Sequence, residues 1–135
     1  MKTIFTSNYA RNGSNPNAYG ISASVPKWYT GARLRWLAPS WDIIFAVQKG
    51  HISDEEYGDR YLKELTKKYT AEMVIAGIPD GAILLCYESP GDFCHRRVLA
   101  EWVEKETGIV IPEVKDKKTI EYERQLQFVE SMLEF

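Results

Sequence analysis

A chain of 135 residues, 44% hydrophobic and 27% charged, suffices for one globular domain with its own core and is too short to argue for two. The formal net charge of -2 gives no global reason to bind nucleic acid or an anionic membrane, so such a role would need a local patch. The longest apolar stretch, Ala82 to Tyr87, is far short of a membrane span, and MKTIFTSNYA lacks the apolar run of a signal peptide. Both cysteines, Cys86 and Cys94, sit in one short segment unsuited to stapling an exported fold. Together these features point to a cytoplasmic protein without a membrane partner.

Lys2 to Thr6 is a short β-prone run. The stretch that follows, SNYARNGSNPNAYG, is rich in turn residues and reads as a loop. Ile21 to Val25 alternates apolar and small polar residues, as a second strand would, and stops where Pro26 withdraws a backbone donor. Ser40 precedes Trp41, Ile44, Phe45 and Gln48 at helical spacing, with Gly50 as the stop. Ser53 and Glu56 form a capping box ahead of the i, i+4 stripe Tyr57, Tyr61, Leu65 and Tyr69. A short helix from Thr70 to Ala76 ends before the turn Pro79, Asp80, Gly81, and Ala82 to Tyr87 is a buried strand.

From Phe93 to Thr107 the residues Val98, Leu99, Trp102 and Val103 make a one-sided apolar face, and Gly108 stands where a left-handed helix cap belongs. Ile109 to Ile111 reads as a strand returning beside Ala82 to Tyr87 after a crossover. The tail from Thr119 places Tyr122, Leu126, Val129 and Leu133 at helical spacing, predicting an amphipathic helix packed on the sheet or on a second copy in a homodimer. The alternation predicts a single small three-layer α/β domain over 1–135, Rossmann-like, with a mostly parallel sheet. Ligands of such folds bind beyond the carboxyl ends of the strands.

That position belongs to Leu84 to Arg96, LLCYESPGDFCHR. Unpaired N–H groups and a positive macrodipole at the start of the Phe93 helix suit an anion, and Gly91 would allow it close. Arg96 and Arg97 are cations at the wrong end of that dipole, which suggests an external phosphate or carboxylate; alternatively Asp92 caps the helix and the arginines pair with carboxylates of the chain. Helical rotation turns His95 inward over the sheet, toward the strand end bearing Glu88. Cys94 in the first turn should ionise readily and can serve as nucleophile or as packing, whereas Cys86 reads as packing. Glu88 suits a base, a hydroxyl acceptor or a nucleophile, and Tyr87 beside it is a ligand contact. A phosphatase-type cysteine loop is excluded, because Asp92 (after Cys86) or Ala100 (after Cys94) stands where its arginine belongs. A metal site is not expected: Cys94 and His95 diverge by about 100° if both are helical, and no paired CxxC exists.

At LLCYESPGDFCHRRVLAEW the chain resembles the domain of unknown function 488 family, whose signature couples a strand ending in Cys and Glu to Cys-His-Arg at a helix start, here Cys86, Glu88, Cys94, His95 and Arg96. TSNYA, ISASVPKWY and LAPSW match as well, so the resemblance runs from Thr3 to about Trp102. It implies a compact α/β fold and a shared site and supplies no settled reaction or cofactor.

A second patch interleaves Lys27, Arg33 and Arg35 with Trp28, Tyr29, Trp36 and Trp41, which suits stacking on bases beside phosphates, or else core packing beneath solvated cations. The leading expectation is therefore a small enzyme acting on a nucleotide, nucleoside or other phosphate-bearing ligand. Glu88, Cys94 and His95 would be catalytic, and Arg96, Gly91, Lys27, Trp28 and Tyr87 would bind. The alternative is a non-catalytic module that binds or sequesters a nucleotide-like or nucleic-acid ligand. A third is an interaction protein that dimerises through its last helix.

Overall fold

The computed structural model describes residues 2–88, 92–115 and 117–133. Four strands form one wholly parallel sheet in the order β1 (Phe5–Asn8), β4 (Ile83–Cys86), β2 (Ala18–Gly20), β3 (Ala32–Arg33). β4 lies between β1 and β2 and is buried along its whole length, as expected of an unbroken apolar run in a parallel sheet. Its alternate side chains enter two cores. Leu84 and Cys86 join the layer made by α3 (Asp54–Thr66), α4 (Ala71–Gly77) and α5 (His95–Thr107), with Tyr61, Leu65, Val74, Leu99 and Val103 packed there. Ile83 and Leu85 face Phe5, Tyr9, Tyr29 and Val114 on the other side. The result is the small α/β architecture that the alternation predicts.

Several helices follow their local signals. The Ser53 hydroxyl accepts from the Glu56 N–H at the start of α3, and the Thr70 hydroxyl accepts from Met73 at the start of α4. Lys2 donates from Nζ to the carbonyls of Ile75 and Ile78, at the C-terminal end of α4. Gly108, at φ 78°, is the left-handed cap of α5. Helix α2 (Trp41–Gln48) begins after Ser40 as expected, although the Ser40 side chain makes no capping bond.

Three expectations are corrected. The turn-rich N-terminal stretch contains a helical turn, α1 (Tyr9–Asn12), capped by Asn8, and the whole of β2. Ile21 to Val25 is not a strand: the β4 ladder ends at Gly20, the Ile21 N–H still donates to the Leu85 carbonyl, and the chain bends from Ser22 to Ser24. The returning segment is not Ile109 to Ile111 beside β4. It touches β1 through a single parallel bridge, Thr6 to Glu113, because the edge next to β4 is already occupied by β1. The last helix, α6 (Lys117–Leu133), leaves Tyr122, Leu126, Val129 and Leu133 exposed and contributes only Ile120 to the core among its described residues. No described helix is long and apolar enough to cross a membrane.

Candidate functional site

Beyond the carboxyl end of β4 lies a cavity of about 170 Å³. Its walls come from Cys86 at the end of the strand and Tyr87 and Glu88 after it, His95 at the start of α5, Tyr57 of α3, Ser22 to Ser24 after β2, and Trp41, Ile44 and Val47 of α2. This is where a parallel α/β sheet ordinarily receives a ligand. Among the described lining residues there is no lysine or arginine.

His95 is buried as its helical rotation predicts, but its partner is not Glu88. Nε2 lies 2.7 Å from the Ile21 carbonyl oxygen, which can only accept, so Nε2 carries a proton. Nδ1 is therefore the end at which a proton can come and go. It stands 3.5 Å from the Tyr57 hydroxyl, 3.5 Å from Cys86 Sγ and 3.9 Å from Cys94 Sγ. Tyr61 packs edge-on against the ring at 5.1 Å, which fixes its plane. The Ile21 carbonyl is free for this bond because β2 stops one residue earlier.

The two thiols are driven apart in acidity. Burial opposes ionisation of Cys94, but hydrogen bonds from Cys86 and His95, the charge of His95 and the Arg96 backbone N–H outweigh it and hold the thiol well below its ordinary value. Burial above all, then the hydrogen bond to Cys94 and its charge, push the Cys86 thiol up. Glu88 sits at the exposed rim, yet partial burial and the adjoining Cys94 raise its carboxyl to about 7. Burial likewise raises the Tyr57 phenol, which stays protonated.

Arg96 is fully buried and forms a two-pronged pair with Glu113, Nε to Oε1 at 3.0 Å and Nη2 to Oε2 at 2.8 Å. Glu113 also accepts from Thr6 Oγ1 at 2.7 Å, and Thr6 Oγ1 in turn accepts from Arg97 at 2.8 Å. The anion expected to come from outside to compensate Arg96 is a carboxylate of the chain itself. The third guanidinium nitrogen of Arg96, Nη1, is buried without a hydrogen-bond partner among the described residues.

The family model described as DUF488-N3a, active DUF488-N3 subclade, matches residues 14–107, well over half of the chain. The chain belongs to this DUF488 subclade. No curated protein and no solved structure matches it. The matched range holds β2 through α5 and with them Cys86, Glu88, Cys94, His95 and Arg96, whereas β1 and Glu113 fall outside.

Of the residues singled out in this DUF488 chain, Glu88, His95 and Tyr87 line the cavity, and Cys94 is buried beside His95 without reaching the lining. Arg96 is turned into the protein, and Gly91 lies outside the described residues. Lys27 and Trp28 are exposed and take no part in the lining; Trp28 instead packs over Gly13. From that aromatic and basic patch only Trp41 reaches the cavity, half-exposed and stacked on Phe45 with ring centroids 5.6 Å apart. Arg33 donates to the Ala23 carbonyl at 2.9 Å and so braces the Ser22 to Ser24 wall. Tyr57, Ser22 and Glu113 escaped the sequence reading. Tyr57 looks like one more residue of an apolar stripe, and nothing local marks the other two.

Cys86, Cys94 and His95 offer three ligand atoms within 4.8 Å of one another, a donor set suited to zinc or another thiophilic ion, and the far nitrogen of His95 is braced on a carbonyl as metal-bound histidines usually are. The expected 100° divergence does not apply, because Cys94 is the extended N-cap of α5 (φ -154°, ψ 146°) and not a helical residue. Cys86 Sγ is equidistant, at 3.5 Å, from both ring nitrogens. It rests against the ring, so it would have to move to share an ion with Nδ1. A wider groove of about 1010 Å³ between α6 and the Arg11 to Asn15 segment contains none of this chemistry.

Proposed function

We propose that this protein is an enzyme acting on a nucleoside-like substrate, whose flat ring enters the aromatic cavity while Cys94 and Glu88 do the bond chemistry. The observation that carries the reading is the convergence of the Cys94 thiol on His95 Nδ1, 3.9 Å apart, beside a cavity that His95 and Glu88 line. Cys94 adds to an electrophilic carbon, forming a C–S bond as the bond to the leaving group breaks, and Glu88 gives that group its proton. Glu88, now a carboxylate, takes a proton from water as the new C–O bond displaces the thiolate. The two steps amount to hydrolysis through a covalent intermediate. Trp41, Tyr57 and Tyr87 supply ring faces and edges for an aromatic substrate. The lack of a cation in the described lining favours the nucleoside or base over its phosphate.

The test is a thermal-shift panel of bases, nucleosides and nucleotides, followed by turnover assays on whatever binds. Nucleosides should raise the melting temperature at least as much as their phosphates. Cys94→Ser and Glu88→Gln should keep the fold and each lower turnover by about 10²-fold or more. If both variants keep full activity, these roles are wrong. Tight binding without any turnover would instead favour a binding module.

A further inference from the structure

We infer that Cys86 and Cys94 are a reversible oxidation site, closing to an intrachain disulfide when a hydroperoxide reaches the cavity, with Cys86, which lines it, oxidised first and Cys94 resolving it. Both cysteines are unpaired, and their sulfurs lie within 4.8 Å of each other and of the same imidazole. They belong to two elements that converge at one point, the last residue of β4 and the N-cap of α5. A disulfide needs the sulfurs to approach to about 2.0 Å, a shift of side-chain scale for two residues flanking a connecting loop.

Every proton in the sequence has a place. Cys86 passes its proton to His95 Nδ1, 3.5 Å away, and its sulfur attacks one oxygen of the hydroperoxide, so that an S–O bond forms and the O–O bond breaks. The departing oxygen takes that proton back from His95, and Cys86 is left as a sulfenic acid. Cys94 passes its proton to the same Nδ1, 3.9 Å away, and its sulfur attacks Cys86 Sγ. The S–S bond forms, the S–O bond breaks, and the departing hydroxide recovers the proton from His95. Two thiols lose two electrons to the peroxide, which leaves as water and, for an organic hydroperoxide, an alcohol. Because Cys86 both lines the cavity and contacts His95, its place is explained by this role and not by packing alone. On the reading proposed above, closure would also withdraw the nucleophile and silence the enzyme.

The experiment is mass spectrometry of the full chain after hydrogen peroxide at neutral pH, with free thiols blocked at the quench. Both cysteines lie in one tryptic peptide, residues 69–96, so closure appears there as the loss of two hydrogens and of both blocking groups. A thiol reductant should reverse it. In Cys94→Ala, with Cys94→Ser as the second variant should the first fail to fold, Cys86 should accumulate as a sulfenic acid trapped by dimedone. Thiols that stay free in the wild type, an interchain disulfide, or a wild-type product oxygenated like the variants would each overturn the inference. These are read on mass alone, so they stand apart from the turnover tests. Disulfide closure that leaves turnover intact would count against Cys94 as the nucleophile and not against the oxidation site.

Discussion

Helices α5 and α6 carry the same kind of apolar spacing and end in opposite surroundings. α5 buries Leu99, Ala100 and Val103 against the sheet, while α6 exposes Tyr122, Leu126, Val129 and Leu133 and anchors through Ile120. α5 also opens with His95 bonded to the Ile21 carbonyl and Arg96 gripped by Glu113, two contacts that reach across the sheet. An apolar stripe states that a helix needs a partner, and in this protein the helix that the sheet holds carries the chemistry.

The comparison breaks most readily at Glu113. Glu113→Gln should destabilise the fold by about 3–5 kcal/mol in urea titration, because it strands the Arg96 charge in the interior. A loss below about 1 kcal/mol would mean that the pair does not anchor α5. The pH dependence of stability is the next largest effect, and it has two opposed parts. Burial alone would raise the Glu113 carboxyl, but the bonds from Arg96 and Thr6 prevail and hold it below the ordinary carboxylate range. Its contribution is complete above that range and is lost as pH falls through its folded value. Glu88 runs the other way. With a folded value of about 7 against an ordinary value near ~4.3, it makes the protein lose stability as pH rises between the two, with no further change above. Melting curves across pH should show the acid limb vanish in Glu113→Gln and the neutral slope flatten in Glu88→Gln.

Smaller effects sharpen the other half of the comparison. Ile120→Ala should cost about 1 kcal/mol, as expected of a half-buried side chain on the second core. Leu126→Ser on the exposed stripe should stay within about 0.5 kcal/mol by the same titration. Equal costs at the two positions would show that α6 is packed along its length in solution, and would erase the contrast with α5.

Much of the frame was legible in the sequence. The capping residues of α3, the Gly108 cap of α5 and the unbroken apolar run of β4 are signals written within a few neighbouring residues, and each element formed where they predict. The family match, the inward turn of His95 and the cluster of Glu88, Cys94 and His95 were legible for the same reason, since one strand, one turn and one helix start bring them together. What only the tertiary structure decided is pairing over distance. β2 is a three-residue strand held by β4 and not by its own composition, His95 finds a carbonyl 74 residues away, and Glu113 meets Arg96 from beyond the family's matched range. Within Leu84 to Arg96 the sequence offers the arginine as a cation in need of an anion, and only the fold decides that Glu113 is that anion, because a buried charge takes a partner that the chain itself can supply.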